Sequence, residues 1–294
     1  MTFRNRTLLF LGSCLAAALA NAGLLRELIV FSLRHDYATH VLLIPFLSAA
    51  LILRSRVRIF SGAGSSLPAG GLVACAGLAI LLAGFRLSPR LAAAETLSLR
   101  VFAMAALVIG IFLICYGTES FRKALFPLLL LFLMVPIPDV LLQSVIFSLQ
   151  KGTADGAAFL LTLTGTPYNR HDLLFVLPRI SFQIAPQCSG IRSSLALFLS
   201  CLLAGHLMLD SSWRKLALVL LAIPVAMIKN AVRITVLALL AIHVDPRFLG
   251  GSELHQEGGI LFFLLALLFM APVFWLLRLP EARARKAAAN SAAG

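Results

Sequence analysis

Charge is scarce in this sequence. Asp, Glu, Lys and Arg make up 13% of 294 residues, about half the share of an ordinary soluble protein. Acid is scarcer still, with 12 Asp+Glu against 25 Lys+Arg. Cysteine is limited to five residues. The odd count, with no plausible partner for the one outside the apolar runs, excludes a disulfide scaffold. Neither HExxH nor CxxC spacing occurs, so His35, Asp36, His40, His171, His255 and Glu257 do not form a recognisable metal site, and no metal or cofactor is expected. No repeat relates the two halves. What is abundant is hydrocarbon: 60% of residues are apolar and the mean hydropathy is +0.97. A globule in water has too little interior to hide that surface. A disordered chain and an ordinary cytosolic enzyme are thereby excluded. A transporter and a membrane enzyme both remain.

A helix crossing ~30 Å of hydrocarbon needs about 20 apolar residues. Eight stretches qualify: Thr7–Leu25, Thr39–Leu53, Leu67–Phe85, Leu97–Tyr116, Ala124–Val140, Gly190–Leu209, Leu216–Ile242 and Gly259–Leu277. The first, with Ala20-Asn21-Ala22 near its end, has the look of a cleavable signal, but seven later spans make an uncleaved helix the simpler reading. The fold expected is an all-α integral membrane protein of about eight transmembrane helices. Thirteen basic residues cluster at alternate helix ends with three acidic ones among them. This belt marks the cytoplasmic side and puts both termini there. The net charge of +13 is thus largely a topology signal, and no nucleic-acid partner is expected. Residues 1–279 read as one polytopic membrane domain, and 280–294 as a disordered basic tail.

The long non-spanning segment, from Pro136 to Cys188, falls on the outer side. Pro136-Ile137-Pro138 ends or kinks the fifth helix. Val140–Leu149, broken by Gln143 and Gln150, and Ala157–Leu163 read as interfacial or re-entrant helices. Thr166–Ile184 alternates apolar and polar residues between turn formers and reads as a short hairpin.

Four cysteines, Cys14, Cys75, Cys115 and Cys201, lie inside apolar helices, where a small hydrophobe is the expected role. Cys188 stands at the entrance of the sixth span, in Pro186-Gln187-Cys188-Ser189-Gly190-Ile191-Arg192-Ser193-Ser194. The N–H groups and dipole of a helix start favour thiolate there, and Arg192 adds a cation one turn on. A nucleophile and an interfacial turn cysteine are both compatible with this placement. Inside the seventh span lie Lys229, Asn230 and Arg233, and intramembrane polar residues are functional candidates by default. Measured along ideal helices from the inner boundary, Arg233 lies ~27 Å, Cys188 ~33 Å and His255 ~34 Å away. The three therefore reach one outer level on three consecutive spans, which tend to be neighbours. Singly, Arg233 also suits a snorkelling anchor and His255 an exposed loop.

The sequence around these residues resembles the exosortase/archaeosortase family of membrane cysteine proteases and transpeptidases. Cys188-Ser189-Gly190-Ile191-Arg192-Ser193 is similar to that family's CSG(I/L)RS segment. Asn230-Ala231-Val232-Arg233-Ile234 resembles its N-x-x-R-I helix, and His255 before Gly258-Gly259 resembles its H-x-x-x-G stretch. His40 with Leu42–Pro45 is similar to an early S-H…L-x-P motif, except that Thr39 replaces the serine and Tyr37 is not adjacent to it. The likeness runs from about Asp36 to Phe274. It implies cleavage of C-terminal sorting signals, a short motif such as Pro-Glu-Pro followed by a transmembrane helix and a basic tail. The implied catalytic set is Cys188 as nucleophile, Arg233 for the oxyanion or substrate orientation and His255 as general acid and base, with His40, Ser189, Arg192 and Asn230 in support. Membrane-anchored exported proteins would be the partners, with water or an amine or polysaccharide-linked acceptor resolving the intermediate. The setting implied is the inner membrane of a prokaryote, with the site facing outward. A transporter or export component without protease activity, and a non-catalytic scaffold, are the competing readings.

Overall fold

The computed structural model describes residues 2–88, 91–178, 180–249 and 259–293. It is helical apart from one small sheet. Among the described residues, six helices are long and apolar enough to cross a membrane, or up to eight if two bent pairs each count as one span. Six of the eight expected spans are therefore single helices, and the first and fifth fall on the bent pairs. The protein is a multi-pass integral membrane protein. Exposed Leu15, Phe46, Leu72 and Leu268 fit a chain whose solvent is lipid.

The chain divides into two compact units, Met1–Leu142 and Gln143–Gly294. In the first, α1 (Phe3–Ala20) and α2 (Ala22–Arg34) meet at a 75° bend. The sequence reads as one straight span there. Asn21 is the reason: its Nδ2 donates to the Ala17 carbonyl, and its backbone N–H also turns back on α1. A 3₁₀ segment, Asp36–Leu42, leads into α3 (Ile44–Arg54) and the short α4 (Arg56–Phe60). The longest pairing joins α5 (Leu67–Leu87) to α6 (Ala93–Lys123). Their backbones approach closely because Gly70 and Gly77 face Ile114 and Leu107, and Gly110 faces Ala74. Small residues serve membrane helices in this way, where burial against lipid gives little drive to associate. The short α7 (Leu125–Leu130) ends in a 3₁₀ turn before Pro136-Ile137-Pro138, and the chain bends by 94° into the next helix. That bend is the kink the prolines imply.

Beyond it the sequence reading needs correction. In place of two short interfacial pieces there is one helix, α8 (Asp139–Leu163), 25 residues long. Of the two polar residues read as breaks, Gln143 is exposed on the helix surface, and Gln150 is buried and donates from Nε2 to the Ile184 carbonyl at 2.6 Å. In place of a two-stranded hairpin there is a three-stranded antiparallel meander, β1 (Asn169–His171), β2 (Leu174–Val176) and β3 (Ser181–Gln183). Phe175 pairs with Phe182 across it, rings stacked at 5.3 Å, and is fully buried. Arg170 bonds Asp155 at 2.8 Å and pins the sheet to α8.

Among the described residues, three α-helices complete this unit: α9 (Ile191–Met208), α10 (Ser212–His243) and α11 (Gly259–Ala293). Leu197 and Cys201 of α9, Leu218 and Ala222 of α10 and Ala266 and Met270 of α11 share one core, so the consecutive spans are neighbours as expected. At the α9–α10 turn the Glu281 carboxylate accepts from the amides of Asp210 and Ser211 and pairs with Arg214 at 3.1 Å. The last helix continues through 280–293, where composition suggests a disordered tail. Alanine and arginine there are strong helix formers.

Candidate active site

The segment carrying Cys188 is held at both ends. Upstream, the Ile184 amide bonds the Leu173 carbonyl at 3.0 Å, and the Ile184 carbonyl takes the Gln150 bond. Downstream, Pro186–Ser189 forms a single 3₁₀ turn that opens with proline, whose fixed φ suits a helix start. The Cys188 amide closes this turn on the Ala185 carbonyl at 2.8 Å. Gly190 then adopts φ 74°, ψ 17°, and α9 begins at Ile191. Ser189 is buried and its hydroxyl accepts from the Ile191 amide. Ser193 and Ser194 both donate back to the Gly190 carbonyl, at 3.0 and 2.9 Å.

The seventh span, α10, meets this turn with a pair of buried polar residues. Asn230, wholly buried, donates from Nδ2 to the Cys188 carbonyl at 2.7 Å and to the Thr153 hydroxyl of α8 at 3.1 Å. Lys229, also buried, donates from Nζ to the Ser193 hydroxyl at 2.6 Å. A chain of bonds thus runs from Lys229 through Ser193 to the Gly190 carbonyl. The side of α8 that faces α10 carries Gly152 and Gly156, against Met227 and Ala231. Without side chains there, the two helices come close enough for Thr153 to reach Asn230. The half-buried Cys188 packs against the cluster that includes Ala154, Phe175, Ile184 and Ile234.

Arg233 follows Lys229 by one turn. Its guanidinium stands 5.9 Å from the centre of the Phe262 ring and interacts electrostatically with Cys188. Of the expected site residues, the structure brings together Cys188, Ser189, Asn230 and Arg233. Arg192 is exposed on the first turn of α9. His40 belongs to the other unit, where its Nδ1 bonds the Tyr37 carbonyl at 3.0 Å. His255 lies outside the described residues. Among the described residues, no three His, Cys, Asp or Glu side chains gather as a metal site would require.

The sequence reading passed over Thr153 and the roles of Gln150 and Lys229. A signal was present: Gln150 and Thr153 are three residues apart and so share one helix face. Reading Gln150 as a break hid that face.

Asn230 has a measurable burden. Asn230→Ala leaves the Cys188 carbonyl and the Thr153 hydroxyl without this partner, at about 1–3 kcal/mol for each buried group. A substrate-processing assay is expected to show at least a ~10-fold loss, since small misplacements of reacting groups are costly. Asn230→Asp is expected to be worse, because it sets a carboxylate oxygen against the Cys188 carbonyl. Equal activity in both variants and wild type would remove Asn230 from the site.

The model of the family described as Transmembrane exosortase (Exosortase_EpsH) matches residues 25–272. The chain belongs to the transmembrane exosortase family. No curated protein and no solved structure matches it. The match covers most of the exosortase, from within α2 into α11, and includes all the motifs quoted above. Exosortases are membrane cysteine peptidases or transpeptidases that process PEP-CTERM signals. The enzyme reading therefore stands over that of a transporter or a scaffold, and the Cys188 turn carries a cysteine, a buried clamp and a neighbouring cation together.

Proposed function

We propose that this exosortase cleaves the C-terminal sorting signals of membrane-anchored exported proteins through a thioester at Cys188. The observation that carries the reading is the clamped turn: Asn230 fixes the Cys188 carbonyl while Arg233, one turn on, interacts with the Cys188 side chain. The thiolate attacks the scissile carbonyl carbon and a C–S bond forms. Negative charge moves to the carbonyl oxygen. In the Ser-His-Asp template the nucleophile's own amide helps to hold that charge. Here the Cys188 amide is engaged by Ala185, which leaves the role to Arg233 as a fixed cation in a medium of low dielectric. As the intermediate collapses, the C–N bond breaks and the leaving amine takes a proton from His255. Water or an amine acceptor, free or linked to a polysaccharide, then gives a proton to His255 and attacks the thioester; the C–S bond breaks and the Cys188 thiolate is restored beside the protonated His255. The His255 role is carried by its motif.

The setting proposed is the inner membrane of a prokaryote, with both termini cytoplasmic and the site at the outer interface. The basic belt and the helix-length arithmetic support it. A substrate held in the bilayer by its own helix would present the bond after its sorting motif at that level.

The thioester makes the test direct. Membranes containing the enzyme and a tagged substrate with motif, helix and basic tail are quenched in acid during turnover. A covalent adduct on Cys188 that hydroxylamine releases is expected. Continued processing with no such adduct would defeat the thioester.

A further inference from the structure

A cavity of about 370 Å³ opens among three helices of the second unit. Ser144 and Ser148 of α8 form one wall, Ile191 and Phe198 of α9 a second, and the buried Ala222 and Ala226 of α10 the floor. Its surface is almost wholly hydrocarbon. The Ser148 hydroxyl is bonded to the Ser144 carbonyl of its own helix at 2.9 Å, so that serine offers shape rather than a hydrogen bond.

The position of the cavity is informative. Ile191 is the third residue after Cys188. From Ile191 to Phe198 the cleft follows α9 for ~10 Å at 1.5 Å per residue. One end adjoins the nucleophile's turn and the other lies deeper in the span. Its walls also carry small residues at helical i, i+4 spacing, Ser144 with Ser148 and Ala222 with Ala226. In membranes such pairs let a second helix approach closely, a provision that a flexible lipid tail does not need.

The geometry points to this cleft as the docking groove for the first two turns of the substrate's own transmembrane helix, those directly after the scissile bond. The assignment rests on the peptidase reading above and adds where the tether binds. A helix entering beside Ile191 and running in the same direction as α9 places the residue before its first turn at Cys188. The volume selects what enters. A cavity of ~150 Å³ takes one benzene-sized group, so this one has room for about two bulky apolar side chains. Substrates should therefore carry large apolar residues on one face at the start of the helix. Polar residues there would be left without partners.

The experiment uses the full chain in membranes with a tagged substrate of motif, helix and basic tail. Ser148 is exposed, so Ser148→Trp puts bulk into the cleft without entering the core. Processing is expected to fall at least ~10-fold, while labelling of Cys188 by a membrane-impermeant thiol reagent keeps its wild-type rate. Alanines replacing the large residues in the first two turns of the substrate helix should cost wild type as much, and should cost Ser148→Trp nothing further. Wild-type processing by Ser148→Trp overturns the assignment. A second arm needs no chemistry: a photo-crosslinking residue at Phe198, in the Cys188→Ala background, should capture the substrate within those two turns. Capture of lipid alone overturns the groove. Capture of substrate, combined with processing that survives Cys188→Ala, would keep the groove and sink the thiol mechanism.

Discussion

Cys188→Ala is expected to abolish processing of a tagged sorting-signal substrate, by at least ~10³-fold. Removing a nucleophile takes away the covalent route itself, and what remains is binding and electrostatic stabilisation alone; the loss in a well-studied serine protease is ~10⁶-fold. The variant should still fold. Cys188 is half-buried and is fastened by its backbone, through the Asn230 bond to its carbonyl and the Ala185 bond to its amide. Neither bond uses the sulfur. Cys201→Ala is the control. Cys201 is buried in the core shared by α9, α10 and α11, so its loss should lower thermal stability a little and leave processing near wild type. The contrast separates chemistry from packing: one cysteine carries activity with little stability, the other the reverse. Normal processing by Cys188→Ala, with the protein present at wild-type level, would remove the nucleophile assignment.

The parts of this arrangement that can be read from sequence are those set by composition and spacing. Six of the eight apolar runs are single helices of spanning length, because bilayer thickness fixes helix length, and the other two fall on bent pairs. The constant rise of an ideal helix predicts one level for Cys188 and Arg233, and the structure places them near enough for their charges to influence each other. What cannot be read that way is the work done by single polar side chains. Asn21 looks like one more residue in a span, yet its hydrogen bonds turn the chain by a bend that hydropathy does not register. Gln150 looks like an interruption, yet α8 passes straight through it because the side chain has the Ile184 carbonyl to bond. Gly152 and Gly156 look like helix breakers and are instead the surface on which α8 meets α10. For Gln150 and the two glycines the deciding partner is distant in sequence. Local propensity then gives the wrong sign, because tertiary contacts outweigh it.

Lys229 sharpens the same point. A lysine deep in an apolar span invites a role in binding or proton transfer, since its charge is costly there. Its observed bond goes to Ser193, and from Ser193 on to the Gly190 carbonyl. The ammonium thus holds the backbone that follows Cys188, just as Asn230 holds Cys188 itself. Two consecutive residues of α10 grip two points of one turn. The turn can be gripped so closely because of what it lacks at Gly190.

Gly190→Ala is accordingly expected to cost more activity than any other single-methyl change in the site. Two effects add. At φ 74° the residue is left-handed, a conformation that costs an L-residue roughly 1–2 kcal/mol. The new Cβ would also stand 3.0 Å from both Cγ and Oδ1 of Asn230 and 3.3 Å from Nζ of Lys229. Asn230 is wholly buried and bonded on two sides, so it has little room to withdraw. The turn must yield instead, and Cys188 moves relative to Arg233. A displacement of about 1 Å in a reacting group costs on the order of 100-fold, and that is the loss expected in the processing assay. The melting temperature should fall modestly, because the strain is confined to one turn. Pairing the change with Asn230→Ala separates the two contributions. Removing the Asn230 amide relieves the clash but not the backbone strain, so the double variant should lose less than the product of the two single losses. Full multiplication would mean that Gly190 is required for its backbone conformation alone. Wild-type activity in Gly190→Ala would mean that the turn is not the rigid seat of the nucleophile that its hydrogen bonds describe.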